Sequence, residues 1–203
     1  MDEFREYFNE EFFIIDSNNL DSIKTKLYGF SFDGKNIIMQ NNIDNLTSEG
    51  TYVYIKNEND QIRIIQDFNG GYGLYLFRLD DFFAVSNSFL KLVEFLKKSF
   101  VLTLNEDYAK YFMSSGLYST LYDETLVNEI EIVPRCCIVE IDKKTKSIDF
   151  KKIDYEEHSI ELDSKKALEV LDNWFFKWTN YIRFLKEQTN NIQFDLSGVL
   201  IQE

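Results

Sequence analysis

One histidine, two adjacent cysteines, a glycine-rich tetrapeptide and a late Ser-Gly pair are the residues of this chain whose types could do chemistry. Cys136 or Cys137 with His158 would suggest a thiol nucleophile and its base. Such a pair must lie within hydrogen-bond reach, and nothing in their separation across a strand supports that. His158 follows Glu156 and Glu157. A lone histidine among acids reads as a solvated loop residue, and a zinc-type site needs further ligands that the sequence does not place. Neighbours on a strand point to opposite faces, so Cys136 and Cys137 are expected as reduced thiols rather than a strained disulfide. Gly70-Gly71-Tyr72-Gly73 invites a phosphate-loop reading. It lies between two strand-like runs with no helix N-terminus behind it, so a turn or bulge fits better. Asp80-Asp81 and the acids at 154–157 read as solvated turns. Ser197-Gly198, taken alone, is a common loop dipeptide. On these grounds no catalytic residue and no metal site is assigned.

The elements that would position these residues follow from periodicity. Residues 4–13 carry aromatics at helical spacing, although Phe12-Phe13-Ile14-Ile15 reads equally as a strand, and residues 16–19 are a turn signal. From about residue 26 short apolar runs alternate with turn residues. Residues 27–32 meet Asp33-Gly34 and a second run at 36–39, a strong hairpin signal. Strands are expected at 51–55 and 61–67, and a hairpin at 74–77 and 82–85 around residues 78–81. Closely spaced short strands of this kind point to antiparallel sheet. Asn87 or Ser88 caps a helix over 89–98, with Leu90, Val93 and Leu96 on one face. Asn105 caps a second helix through Tyr108 and Phe112, ending near Gly116. Strands return at 129–133, 136–141 and 147–153. Ser164 caps the longest helix, 165–187, whose apolar stripe runs through Leu168, Leu171, Trp174-Phe175, Trp178, Tyr181-Ile182 and Leu185. A last strand is expected at 192–196.

At 203 residues the chain holds one domain, or one domain and the start of another. The net charge of −13 repels phosphate backbones and anionic lipid surfaces, which argues against nucleic-acid and membrane partners. No apolar run reaches transmembrane length, and the acidic start Met1-Asp2-Glu3 is unlike a secretory leader, so a cytoplasmic protein is expected.

Three segments, in this order and spacing, carry a resemblance. Asp67-Phe68-Asn69-Gly70-Gly71-Tyr72-Gly73-Leu74-Tyr75-Leu76 resembles an R-D-x-x-G-x-x-P-L-Y-Y hairpin, followed by Phe83-Ala84-Val85-Ser86-Asn87 and a helix. Residues 104–116 and 125–142 resemble a helix and a T-x-x-x-x-I-x-x-x-P-G strand pair, with Thr125, Ile130 and Pro134 in place and Arg135 where Gly is usual. Residues 165–198 resemble a helix, a strand and the start of an L-S-G-G-x-D-S loop, matched by Leu196, Ser197 and Gly198. Together these resemble the asparagine synthetase family of class II glutamine amidotransferases over about two-thirds of the chain.

The resemblance implies an α+β fold. It is an Ntn-hydrolase-like sandwich of two antiparallel β-sheets flanked by helices over residues 1–160, then a long helix and one orphan strand opening an ATP-using domain over 164–203. In such a domain the Ser-Gly-Gly turn offers backbone N–H groups to ATP phosphates, an Asp supports the Mg²⁺–pyrophosphate, and a carboxylate is adenylated before a nucleophile displaces AMP. The departures set the functional expectation. Family glutaminases use a cysteine at position 2, where this chain has Asp2, and the R-H-R-G-P, N-G-E-x-Y-N and G-x-D-x-E segments are missing. Val199-Leu200-Ile201-Gln202-Glu203 lack the second Gly and the Asp of the phosphate loop. The chain is therefore expected to be a truncated asparagine synthetase-like protein. Glutaminase activity would be lost, Leu196, Ser197 and Gly198 would form an incomplete ATP loop, and ATP and Mg would serve only full-length relatives. The competing expectation is a non-catalytic module that pairs, as a homodimer or with a separate synthetase half, through the 165–187 helix.

Overall fold

The computed structural model describes residues 12–33, 37–38, 49–115, 124–153 and 164–188. Ten strands and three α-helices lie in these segments. In chain order they are β1 (Ile14–Asp16), β2 (Lys26–Phe32), β3 (Ile37–Ile38), β4 (Gly50–Asn57), β5 (Gln61–Gln66), β6 (Tyr75–Leu79), β7 (Phe82–Ser86), α1 (Phe89–Leu96), α2 (Glu106–Ser115), β8 (Ile130–Ile132), β9 (Cys137–Asp142), β10 (Ser147–Lys152) and α3 (Lys165–Gln188). The class is α+β with two antiparallel sheets. One has the order β1-β7-β6-β8 and the other β10-β9-β5-β4-β2-β3.

Alternation of side chains along β6 and β7 decides how the layers stack. Leu76, Phe83 and Val85 point into a core shared with Val53, Ile55, Ile62, Ile64, Val139 and Ile141 of the six-stranded sheet. Phe77 and Ala84, one residue out of phase, point the other way and meet Leu92 and Leu96 of α1. The four-stranded sheet is thus apolar on both faces, with the second sheet on one side and α1 on the other. This arrangement is compatible with a two-sheet sandwich.

Local chemistry explains the boundaries. The β6–β7 turn is Asp80-Asp81, and Asp80 takes φ +51, a left-handed conformation that Asp tolerates. Of the two candidate caps for α1, Ser88 is the one used, its Oγ accepting from Lys91 N at 3.4 Å. Asn87 instead accepts from Phe13 N at 3.0 Å and so ties the chain before β1 to the start of α1. Asn105 and Ser164 cap α2 and α3, accepting from Tyr108 N and Ala167 N at 3.0 and 3.1 Å.

Two expectations need correction. Leu90 does not share the buried face of α1 and is 72% exposed, because Leu92 and Leu96, one turn apart, form the ridge that meets the sheet. Cys136 is not in β9. It sits in the preceding turn at φ +57, and Cys137 opens the strand.

Helix α3 is attached differently from α1. Tyr181 stacks on Phe30 at 5.6 Å and packs against Phe32 at 5.2 Å, and Lys177 donates to Glu49 at 2.6 Å. Its Leu168, Leu171, Trp174, Phe175 and Trp178 remain about half exposed or more. The expected stripe is present, exposed from Leu168 to Trp178 and packed on the sheet at Tyr181. No described helix is long and apolar enough to cross a membrane.

Candidate functional site

The turn between β5 and β6 is organised by one carboxylate. Asp67 is buried, and its two oxygens accept from the backbone N–H groups of Tyr52 (3.2 Å), Asn69 (3.0 Å) and Gly71 (2.9 and 3.2 Å). An acceptor-only group facing several N–H donors fixes the turn as a capping residue fixes a helix start. Gly70 takes φ +61 at the bend, and a Cβ on it would meet Arg135 Cγ at 3.0 Å. A Cβ on Gly71 would lie 2.8 Å from Thr51 Cγ2. The glycines therefore permit close approach of the turn to neighbouring chain, and no helix follows them, in agreement with the turn reading.

The second side is built by the chain after α2. Thr125 is buried, its Oγ1 accepting from Val127 N at 3.1 Å and lying 2.8 Å from the carbonyl oxygens of both Val127 and Ile130. This closes the bend that leads into β8. Val133 N then donates to Leu74 O at 2.8 Å, extending the β6–β8 pairing and bringing Pro134 and Arg135 beside the Asp67 turn.

Between these walls lies an open cleft of about 840 Å³. Gln66, Gly70 and Arg135 line it, as do Tyr75, Phe89 and Tyr108 of β6, α1 and α2. Tyr75 and Phe89 are 5.5 Å apart with their planes tilted by 56°. Burial raises the Tyr75 phenol above its usual value, and the neighbouring Tyr108 oxygen adds to the shift. Glu124, at the rim, accepts from Asn105 Nδ2 at 3.1 Å. The Asp67–Leu76 and Thr125–Arg135 stretches, far apart in sequence, thus form two sides of one cleft.

The thiols are not arranged for nucleophilic work. Cys137 is buried, and burial first, with the adjacent Cys136 second, pushes its thiol up, away from the reactive thiolate. Cys136 Sγ lies 3.6 Å from Phe68 O. Both are free cysteines. Among the described residues no group of three or more His, Cys, Asp or Glu is disposed to hold a metal. Leu196, Ser197, Gly198, the strand expected at 192–196, His158 and Asp2 all lie outside the described residues.

Asp67 is the residue whose role the sequence reading missed. The signal was present as an Asp followed by Asn and two glycines, a composition that favours side-chain-to-backbone turns. No family model matches the chain, and no curated protein matches it significantly.

Proposed function

We propose that this chain is an amidotransferase-type domain of asparagine synthetase-like ancestry that no longer hydrolyses glutamine. In this reading its role is to support an ATP-using, amide-forming synthetase domain, to which α3 is the entry. The ancestral chemistry is adenylation of a carboxylate, with AMP displaced by a nitrogen nucleophile. The single observation that carries the reading is the state of α3. A 24-residue amphipathic helix is fastened to the β2 strand at Tyr181, while the tryptophan-rich row along its length stays exposed. Apolar rows of this size mark a contact surface.

Loss of glutaminase chemistry is supported by the placement of the thiols. Cys137 is buried with its thiolate disfavoured, and Cys136 sits in the turn before β9. The phosphate loop is weakened by residue type, since Val199 stands where a second Gly would let the backbone approach a phosphate.

The test is a titration of the purified protein with a synthetase domain of the family expressed without its own amidotransferase domain. Glutamate release from glutamine is followed in the same samples. The reading expects association that is abolished by Leu171→Glu with Trp178→Glu, and no glutamate above the buffer rate. Glutamine hydrolysis by the chain alone, or association indifferent to the double substitution, overturns it.

A further inference from the structure

We infer that α3 is a self-association helix, whose exposed apolar seam closes on the same seam of a second copy of this chain. The seam belongs to the face assigned above to a synthetase domain. Pairing with a second copy is the resting state of that face, from which such a domain must displace it.

The first observation is the spacing along the helix. Leu168, Leu171, Phe175, Trp178, Ile182 and Leu185 recur at alternating steps of three and four. That spacing keeps a narrow apolar line on one side of a helix, and its residues fit as knobs into the holes of a second helix of the same pattern.

The second observation is that the seam is free. Leu168, Leu171, Phe175 and Trp178 are 60, 51, 60 and 46% exposed. The attachments of α3 to its own sheet use other positions: Tyr181 packs on Phe30 and Phe32, and Lys177 donates to Glu49. Helix α1, by contrast, spends its apolar ridge on the four-stranded sheet. A second α3 is thus a complement that the chain itself supplies, and a two-fold pairing covers both seams in one contact.

The third observation is charge and area. The net charge of −13 makes two copies repel over most of their surface. Helix α3 reverses the sign, with five bases to three acids along its length, so contact there escapes the repulsion. With Trp174 beside them, the four exposed seam residues each leave about 100 Å² uncovered, which gives roughly 1,000 Å² in the pair before polar flanks are added. That is the lower bound of a specific interface and sets a reversible dimer, with a Kd of about 10–100 µM.

Sedimentation equilibrium of the full chain, from about 1 µM to about 500 µM, reads the pairing. The expected mass rises from one chain to two and then levels off. Leu171→Glu with Trp178→Glu should weaken association by about a hundredfold or more and leave one chain throughout. Phe176→Glu is the control. Phe176 is 64% exposed but lies off the seam, so its variant should pair as the native chain does. All three positions are exposed, and the variants keep the fold. A single chain mass at every concentration, a mass that climbs past two chains, pairing that survives the seam substitutions, or pairing lost equally in Phe176→Glu overturns the proposal. No synthetase domain is present in these samples, so absence of the dimer leaves the function proposed above standing, and failure of that function leaves the dimer.

Discussion

Replacing Asp67 tests whether one carboxylate holds the turn that forms the cleft. In Asp67→Ala the N–H groups of Tyr52, Asn69 and Gly71 lose their acceptor together. A hydrogen bond to a charged group contributes about 1.5–3 kcal/mol, and contributions of neighbours are not additive. Water admitted to the opened turn recovers part of the loss, which leaves a cost of about 3–4 kcal/mol. Asp67→Asn keeps one oxygen but turns an NH₂ toward a backbone donor. Both carboxylate oxygens receive Gly71 N, so either orientation of the amide leaves a donor facing a donor, and about 1–2 kcal/mol is lost. Urea unfolding followed by circular dichroism reads both variants. With a slope of about 2 kcal/mol per molar, Asp67→Ala moves the midpoint down by roughly 1.5–2 M and Asp67→Asn by about half as much. If both variants unfold within about 0.5 kcal/mol of the native protein, a scatter usual for surface substitutions, the carboxylate does not organise the turn.

Three further outcomes are expected. Gly29→Ala places a Cβ 2.1 Å from Thr51 O at φ +81 in the middle of β2, and should cost more than about 3 kcal/mol or prevent folding, read by urea unfolding or soluble yield. Burial raises the Tyr181 phenol above its ordinary value of 10.0, so the folded state holds that proton more tightly than the unfolded chain. The contribution of Tyr181 to the docking of α3 is therefore fully present below pH 10 and is lost as pH rises through the folded pKa, which phenolate absorbance together with tryptophan emission should show and Tyr181→Phe should abolish. With a thiol reagent at pH 8, one cysteine, Cys136, should react promptly, while Cys137 reacts only on unfolding. Cys136→Ser should leave no fast phase.

The parts of the fold legible in the sequence are those fixed by local chemistry. Residues 57–60 and Asp80-Asp81 announce reversals, and the alternation in β5 and β7 announces strands with one face inward. Serine and asparagine before α1, α2 and α3 mark the helix starts. The choice between Asn87 and Ser88 as cap was not legible, because it depends on Phe13, a residue 74 positions away. The order of strands was hidden for the same reason: β1 pairs with β7, and β5 with β9, across long stretches of chain. The exposure of Leu90 depends on which ridge of α1 meets the sheet, and apolar spacing alone admits more than one. The cleft was the least legible feature. Gln66, Tyr75, Tyr108 and Arg135 carry no local motif in common and meet only through the β6–β8 pairing and the Asp67 turn. By contrast, the stripe on α3 was evident from its spacing, but spacing cannot say whether a stripe is covered.

That question has a direct measurement. Both tryptophans of the sequence, Trp174 and Trp178, lie on α3 and are about half exposed, so intrinsic fluorescence excited at their absorption edge reports this surface alone. Emission and acrylamide quenching should be recorded on the dilute protein, then with increasing amounts of a separately expressed synthetase domain of the family. The account predicts red-shifted, readily quenched emission from the free chain, and a blue shift with protection from quencher as the complex forms. Blue-shifted, protected emission from the dilute chain alone, or emission unchanged by the synthetase domain, contradicts it.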